Sequence, residues 1–323
     1  MKRMSRKQKK QNKRKKRRKT GGKVSRDLPP LVDPRAAEKS MAQLGRILKD
    51  REFDSIEEAN AFLGGMTESG DIPSLPPSSP LERAQDIMYE AWDSRGDQRV
   101  ALARQALETS EDCADAYVLL AEDAAETLEE IRDFYKRGVE AGERALGSEA
   151  FEEDTGHFWG ILETRPYMRA RAGLAAILWL QGERRKAIEH YWDMLRLNPN
   201  DNQGIRDTLI NCLLEVGDDT GARELLGRYE DDISGCWAYS RALLAFRKDG
   251  PVGEADTYLD EAVKHNRYVP LYLTAKRRMP KRPPQYIGFG DENEAVAYVM
   301  DAMLAWAKTE GAIDWMRART GGR

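Results

Sequence analysis

The 323-residue sequence has no run approaching the roughly 18 to 20 consecutive apolar residues a membrane span needs, and its N-terminus lacks the apolar stretch of a secretory signal. The expectation is an intracellular, cytoplasmic protein. Cysteine is scarce: Cys113, Cys212 and Cys236 are odd in number and widely spaced, which fits reduced thiols better than a disulfide framework or a metal set. Period-two alternation and Asn-Gly hairpins are missing as well, so strands have no support and the class reads as all-α. Finally, the first 26 residues hold no acid at all.

That last absence divides the chain into two electrostatic objects. The formal net charge is -3, yet residues 1–26 carry 15 Lys or Arg and Asp27 is the first carboxylate. Residues 27–323 therefore hold 37 bases against 55 acids, about -18. Between Lys2 and Lys19 the only apolar residue is Met4, so no core offsets the entropy of ordering and the tail is expected to be disordered. Lys9, Lys10, Lys13, Arg14, Lys15, Lys16, Arg17, Arg18 and Lys19 form its densest part and suit a polyanion, because each base placed on a phosphate releases counterions. The tail has no aromatics, so neither base stacking nor sequence readout is implied, and RNA, including ribosomal RNA, fits better than a defined DNA operator. The alternatives are that it solubilises the chain, folds back on the acidic body or serves as a localisation signal; an anionic membrane surface would attract it too.

Beyond the tail, Asp33-Pro34 predicts a helix start and a helix to about Asp50, with Met41, Leu44 and Leu48 on one face. Ser55 with Glu58 predicts a second start, giving a small helical pair within residues 27–64. Gly64, Gly65 and a stretch containing Pro73, Pro76, Pro77 and Pro80 read as a linker over residues 65–80, and the main domain spans 81–323. There, helical patterns alternate with short Gly, Asp or Asn-Pro breaks. Ala187, Ala222 and Ala255 recur at intervals of 35 and 33 residues.

These intervals and their neighbours resemble tetratricopeptide repeats. Gly182, Ala187, Tyr191 and Pro199 match the second-helix and turn positions, and Ala114-Asp-Ala-Tyr117 with Ala121 matches the passage between repeats. Gly217 with Ala222, and Gly250 with Ala255, Leu259 and Ala262, continue the pattern more loosely. The resemblance implies a right-handed α-solenoid of helical hairpins with a concave groove lined by the first helix of each hairpin. Over roughly residues 165–315 the chain is also similar to the suppressor-of-tumorigenicity-seven family, in Arg228-Tyr-Glu-Asp-Asp-Ile-Ser234, His265-Asn-Arg-Tyr-Val-Pro-Leu-Tyr-Leu273, Gly290-Asp-Glu-Asn-Glu-Ala295, Trp306 and Gly311-Ala312. That similarity implies a helical-repeat interaction protein without known chemistry. The membrane segments of that family's members have no counterpart here, so membrane placement is not carried over.

No nucleophile, acid-base pair or metal set stands at workable spacing, so no enzymatic activity and no cofactor are expected. Glu152, Glu153, Asp154 and His157 read as a solvated acidic turn, and Asp291 with Glu294 as the capping box of the last long helix rather than part of a phosphate loop with Gly288 and Gly290. The candidate surface is the segment from His157 to Arg171, rich in aromatic and guanidinium groups. On the repeat register, Arg169 and Trp179 fall on the groove face, as do Gln203, Arg206 and Ile210 of the next unit. Arg165 stands one turn before Arg169, Trp159 lies just upstream, and Asn202 and Asn211 lie nearby. Such arginines and amides suit a peptide carboxylate, because a guanidinium fork matches two oxygens. The competing reading pairs Arg165, Arg169 and Arg171 with Glu163 or with acids of the preceding helix and places Trp159 and Tyr167 in the core.

The expected function is a non-enzymatic adaptor that takes a peptide or protein in its groove while the tail contacts nucleic acid. The alternative is a pure or self-associating protein scaffold with an incidental tail. A metal-dependent enzyme built on the acidic turn and His157 is a third.

Overall fold

The computed structural model describes residues 34–49, 51, 53–69 and 75–321. The basic tail of residues 1–26, with its nine candidate bases from Lys9 to Lys19, lies outside them, as do the expected cap Asp33 and residues 70–74 of the expected linker. Every regular element among the described residues is helical.

Helix α1 is Pro34–Lys49 and α2 is Ile56–Ser69. The Glu58 N–H donates to the Ser55 hydroxyl at 3.2 Å, while the Glu58 carboxylate accepts the Asp54 N–H at 2.9 Å, so the expected start at Ser55 forms. The expected stop does not. Helix α2 runs through Gly64 and Gly65 to Ser69, because glycine inside a helix costs about 1 kcal/mol without blocking the backbone bonds. Helix α1 differs in another way. Glu38, Ala42, Gly45 and Arg46 form the face that meets α3; of the expected face, Met41 lies half exposed at its edge and Leu44 and Leu48 are only partly buried.

The main body starts at α3 (Pro80–Asp93), where the Ser79 hydroxyl accepts the Glu82 N–H and Pro80 takes the first helical position. It continues through α4 (Asp97–Thr109), α5 (Ala114–Asp123) and α6 (Leu128–Glu153). Then come α7 (Arg165–Leu180), α8 (Arg184–Leu197), α9 (Ile205–Val216) and α10 (Asp219–Arg228). The chain ends in α11 (Gly235–Asp249), α12 (Glu254–His265), the short α13 (Val269–Leu273), α14 (Glu292–Lys308) and α15 (Ala312–Thr320). Through α9, helices pack mainly on their sequence neighbours; α14 breaks that order by packing against α9, α11 and α13.

Small side chains set the closest approaches. Ala187, Ala222 and Ala255 are fully buried, and a Cβ added at Gly142 of α6 would lie 2.8 Å from the Tyr167 Cβ of α7. Three apolar clusters form among the described residues: one within α3 to α5 around Met88 and Leu119, a small one of Ala114, Tyr117 and Ala141 between α5 and α6, and the largest, extending to α15 around Tyr167, Trp237 and Trp306. Asp291 caps α14 as expected, accepting the Glu294 N–H at 2.8 Å. The Glu294 carboxylate goes further: it accepts the N–H groups of Gly290 at 2.8 Å and Gly235 at 2.9 Å and the amide of Asn266 at 2.7 Å, tying α14 to the start of α11. No helix among the described residues is long and apolar enough to cross a membrane.

Candidate functional site

Arg165 opens α7 and Arg169 follows one turn later on the same face. Arg169 donates its Nε and Nη2 to the two oxygens of Asp115, on α5, at 2.8 and 2.7 Å. Its Nη1 reaches both oxygens of Glu38, on α1, at 2.9 and 3.0 Å. Arg165 adds a 3.2 Å contact to the same Glu38 oxygen and donates its Nε to the carbonyl of Trp159 at 2.9 Å. Asp115 is 0 % exposed and Glu38 3 %, so one guanidinium holds two carboxylates away from water. Burial works against the Arg169 charge, but the attraction of Asp115 and Glu38 and their hydrogen bonds outweigh it and push its pKa up. Gln85 donates to Asp115 at 2.8 Å, and the Arg169 guanidinium lies 5.5 Å from the Trp92 ring centroid.

Helix α1 therefore lies along α3 with its acid in the arginine pair, and further contacts fix its other end. Arg46 forks onto Asp86 at 2.9 and 2.7 Å and approaches Glu82 at 3.3 Å, while Lys49 reaches Glu163 at 2.8 Å. Between these polar ends the fit is loose. Ala42 and Gly45 of α1 face Leu81 and Tyr89 of α3 and Ala145 of α6 across a cavity of about 300 Å³.

The other candidates are not gathered here. Trp179 packs partly buried against the main core, with Arg184 over its ring at 4.0 Å. Gln203 donates to the Met168 carbonyl at 3.4 Å, and Asn202 is exposed. Arg206 bonds Asp232 at 2.8 Å and Asp201 at 3.3 Å and sits over Tyr229 and Trp237. Ile210 is fully buried, a correction to its groove placement, and Asn211 is buried with its amide on the Asp207 carbonyl at 2.9 Å. Helix α9 also buries Ile205, Leu209, Leu213 and Leu214, so the repeat register assigns it a face that the core takes. Tyr167 packs edge-on in the core with Phe151 and Phe158, and Arg171 pairs with Asp193 and the Tyr167 hydroxyl.

Sequence reasoning missed Glu38, Arg46, Asp86 and Asp115. Asp115 left one trace, as a lone acid inside the otherwise apolar run from Cys113 to Ala121. The thiols are free and buried; burial pushes Cys113 and Cys212 up to about 12, which leaves both protonated at neutral pH. Among the described residues no three His, Cys, Asp or Glu side chains are placed to hold a metal ion.

Comparison with known proteins extends the similarity beyond the residues quoted from the sequence. The chain is 28% identical over 256 residues to the suppressor of tumorigenicity 7 protein-like of Gallus gallus, covering 72% of this chain and 46% of that protein. It is 27% identical over 260 residues to the human protein of that description, covering 73% and 45%, and 27% identical over 265 residues to the Caenorhabditis elegans protein ST7 homolog, covering 71% and 49%. The chain thus spans about half the length of these relatives. No solved structure matches it. The model of the ST7 protein family matches residues 77–320, from just before α3 to the end of α15, and the chain belongs to that family.

Proposed function

We propose that this protein is a non-enzymatic adaptor whose groove, bounded by α3, α5 and the start of α7, takes a helix from a partner in place of its own α1. The observation that carries this reading is the capture of Glu38 by Arg165 and Arg169, more than 120 residues away in sequence. A guanidinium pair that already clamps a carboxylate from a separate helix supports a ligand held by the same chemistry. Helix α1 is then an internal stand-in, and its contacts describe the ligand. An acid occupies the position of Glu38, a base two turns on occupies that of Arg46, and side chains larger than Ala42 and Gly45 fill the space between. The buried alanines at intervals of 35 and 33 residues support a tetratricopeptide-like stack as the frame.

A labelled peptide of residues 34–51 tests the groove. It is expected to bind a Glu38→Lys chain at least about tenfold more tightly than the wild type, because the tethered competitor has lost its anchor. Equal, negligible binding to both chains rejects the groove. The basic tail adds a polyanion contact in this reading. If it engages about six phosphates, affinity for RNA falls about a thousandfold between 50 and 200 mM salt.

A further inference from the structure

The acidic body contains one long exception to its charge. Residues 262–290 hold seven Lys or Arg and no acid, and five of the seven lie between Lys276 and Arg282, in the loop that joins α13 to α14. Many arginines elsewhere are engaged by internal carboxylates, as Arg46, Arg169, Arg206, Arg247 and Arg319 are, while Arg83, Arg95, Arg104 and Arg223 stand singly without an acidic partner among the described residues; the loop differs in gathering such bases together. In this loop only Arg277 is engaged, by Glu292, and Lys276, Arg278, Lys281 and Arg282 have no acidic partner among the described residues. The acids at the loop's far edge are already occupied. Asp291 caps α14, Glu292 holds Arg277 and the Tyr272 hydroxyl, and Glu294 ties Gly235, Gly290 and Asn266.

Beside these free charges the loop presents its apolar side chains to water. Tyr286 is 67 % exposed, Ile287 60 % and Phe289 76 %. Isolated exposed apolar residues are ordinary, but three within four positions, next to four unpaired bases, form a surface with both a charge and a face. Pro280, Pro283 and Pro284 stiffen the segment and keep it out of a helix. Nearby, Tyr268 lies between the guanidiniums of Arg267 and Arg277, at 5.2 and 6.0 Å.

We infer that the loop of residues 276–289 is a binding site for single-stranded RNA, with Tyr286 and Phe289 stacking on nucleobases while Lys276, Arg278, Lys281 and Arg282 meet phosphates. Positive charge interleaved with exposed rings is the combination that binds single strands. The N-terminal tail has the charge and lacks the rings, so the loop supplies what the tail cannot. Anionic lipid fits less well. The backbone N–H groups of residues 278–287 make no hydrogen bond within the described chain, and an unpaired backbone entering the apolar part of a bilayer would be penalised at each peptide, whereas beside RNA it stays hydrated. This site is independent of the groove.

The test measures binding of a labelled 20-nucleotide oligouridylate to the full chain by fluorescence anisotropy. The double variant Tyr286→Ser/Phe289→Ser changes no charge and is expected to weaken binding about thirtyfold, since each stacked ring is worth at least about a fivefold change. Lys281→Ala/Arg282→Ala is expected to lower the salt slope by about 1.4, the value for two phosphate contacts on a single strand. All four side chains are exposed, so unaltered thermal unfolding confirms that both variants are folded. Unchanged RNA affinity in the aromatic variant overturns the inference and leaves the tail as the sole RNA contact. It is equally overturned if that variant loses binding to phosphatidylserine vesicles while keeping RNA, or if polyglutamate displaces the RNA as well as unlabelled RNA does.

Discussion

The arginine pair that opens α7 and the basic loop before α14 use the same residue type in opposite ways. Arg169 is enclosed by Asp115, Glu38 and Trp92, with each hydrogen-bonding edge engaged. Arg278 and Arg282 are exposed, without a carboxylate partner among the described residues. The difference lies less in the arginines than in what the rest of the chain brings to them. In a body of about -18, four bases clustered within seven residues and left without an acid among the described residues mark a place where folding asks nothing of them. Breaking a buried charge pair by removing one partner is costly to the fold, whereas an exposed charge can be removed at little cost.

The sharpest way to break this contrast is Asp115→Ala. It leaves the Arg169 guanidinium buried with half its partners gone, and the expected loss is about 3–5 kcal/mol of unfolding free energy, read in urea. The loop variant Lys281→Ala/Arg282→Ala is expected to stay within about 0.5 kcal/mol of the wild type in the same titration. If the two lose equally, the distinction between structural and free cations fails. A smaller effect separates α1 from the body. Glu38→Gln keeps the side-chain shape and removes its charge, which weakens docking by about 1–3 kcal/mol while Asp115 still holds Arg169. Hydrogen exchange across residues 34–49 should accelerate about tenfold to a hundredfold, with α7 to α15 unaffected.

Local signals were readable in the sequence, and long-range ones were not. The caps at Ser55 and Asp291 follow from chemistry within three or four residues; the α3 start at Pro80 carries an equally local signal in Ser79 and Glu82, but Pro80 reads in the sequence as the end of the linker. The recurrent alanines give away the close approach of successive helices, and the four-residue spacing of Arg165 and Arg169 gives away their shared face. Their partner could not be read. Glu38 sits on a helix whose charged and small residues meet α3 while its leucines are only partly buried, so apolar periodicity does not point to Glu38. Ile210 failed for another reason: the repeat register placed it in the groove, but it lies with Ile205, Leu209, Leu213 and Leu214 in the broad apolar arc of α9 that the core takes.

Gly45 gives a prediction of smaller size. A Cβ added there meets nothing within 4 Å, and the residue lies mid-helix beside the cavity. Gly45→Ala is therefore expected to stabilise docked α1 by about 0.5–1 kcal/mol and to weaken capture of the 34–51 peptide by up to about fivefold. The same change at Gly142, where the added Cβ would strike Tyr167, should destabilise the body instead. Opposite signs from one substitution type would locate slack under α1 and tight packing beneath it.

The smallest effect is set by pH at the far end of α1. Burial tends to raise the pKa of Glu163, but the hydrogen bond from Lys49 leads the effects that take it below its ordinary 4.5. Glu82 is also lowered, burial again opposing, chiefly by the Ser78 N–H and hydroxyl, which do not depend on α1; only the further lowering by Arg46 and Lys49 belongs to docking. A carboxylate lowered in the docked state stabilises docking above its free pKa and loses that contribution as pH falls through the docked value. Lys49 is raised above 10.5, chiefly by its bond to Glu163, so its share is present below 10.5 and fades as pH climbs through the docked value. Exchange protection of α1, corrected for intrinsic rates, should thus be flat between about pH 6 and 8 and decline below the ordinary carboxylate range. Lys49→Met should remove the Glu163 part of that decline. A profile identical in wild type and variant would mean that Lys49, exposed like the loop cations, contributes as little to the fold as they do, and that α1 is held by Glu38 and Arg46 alone.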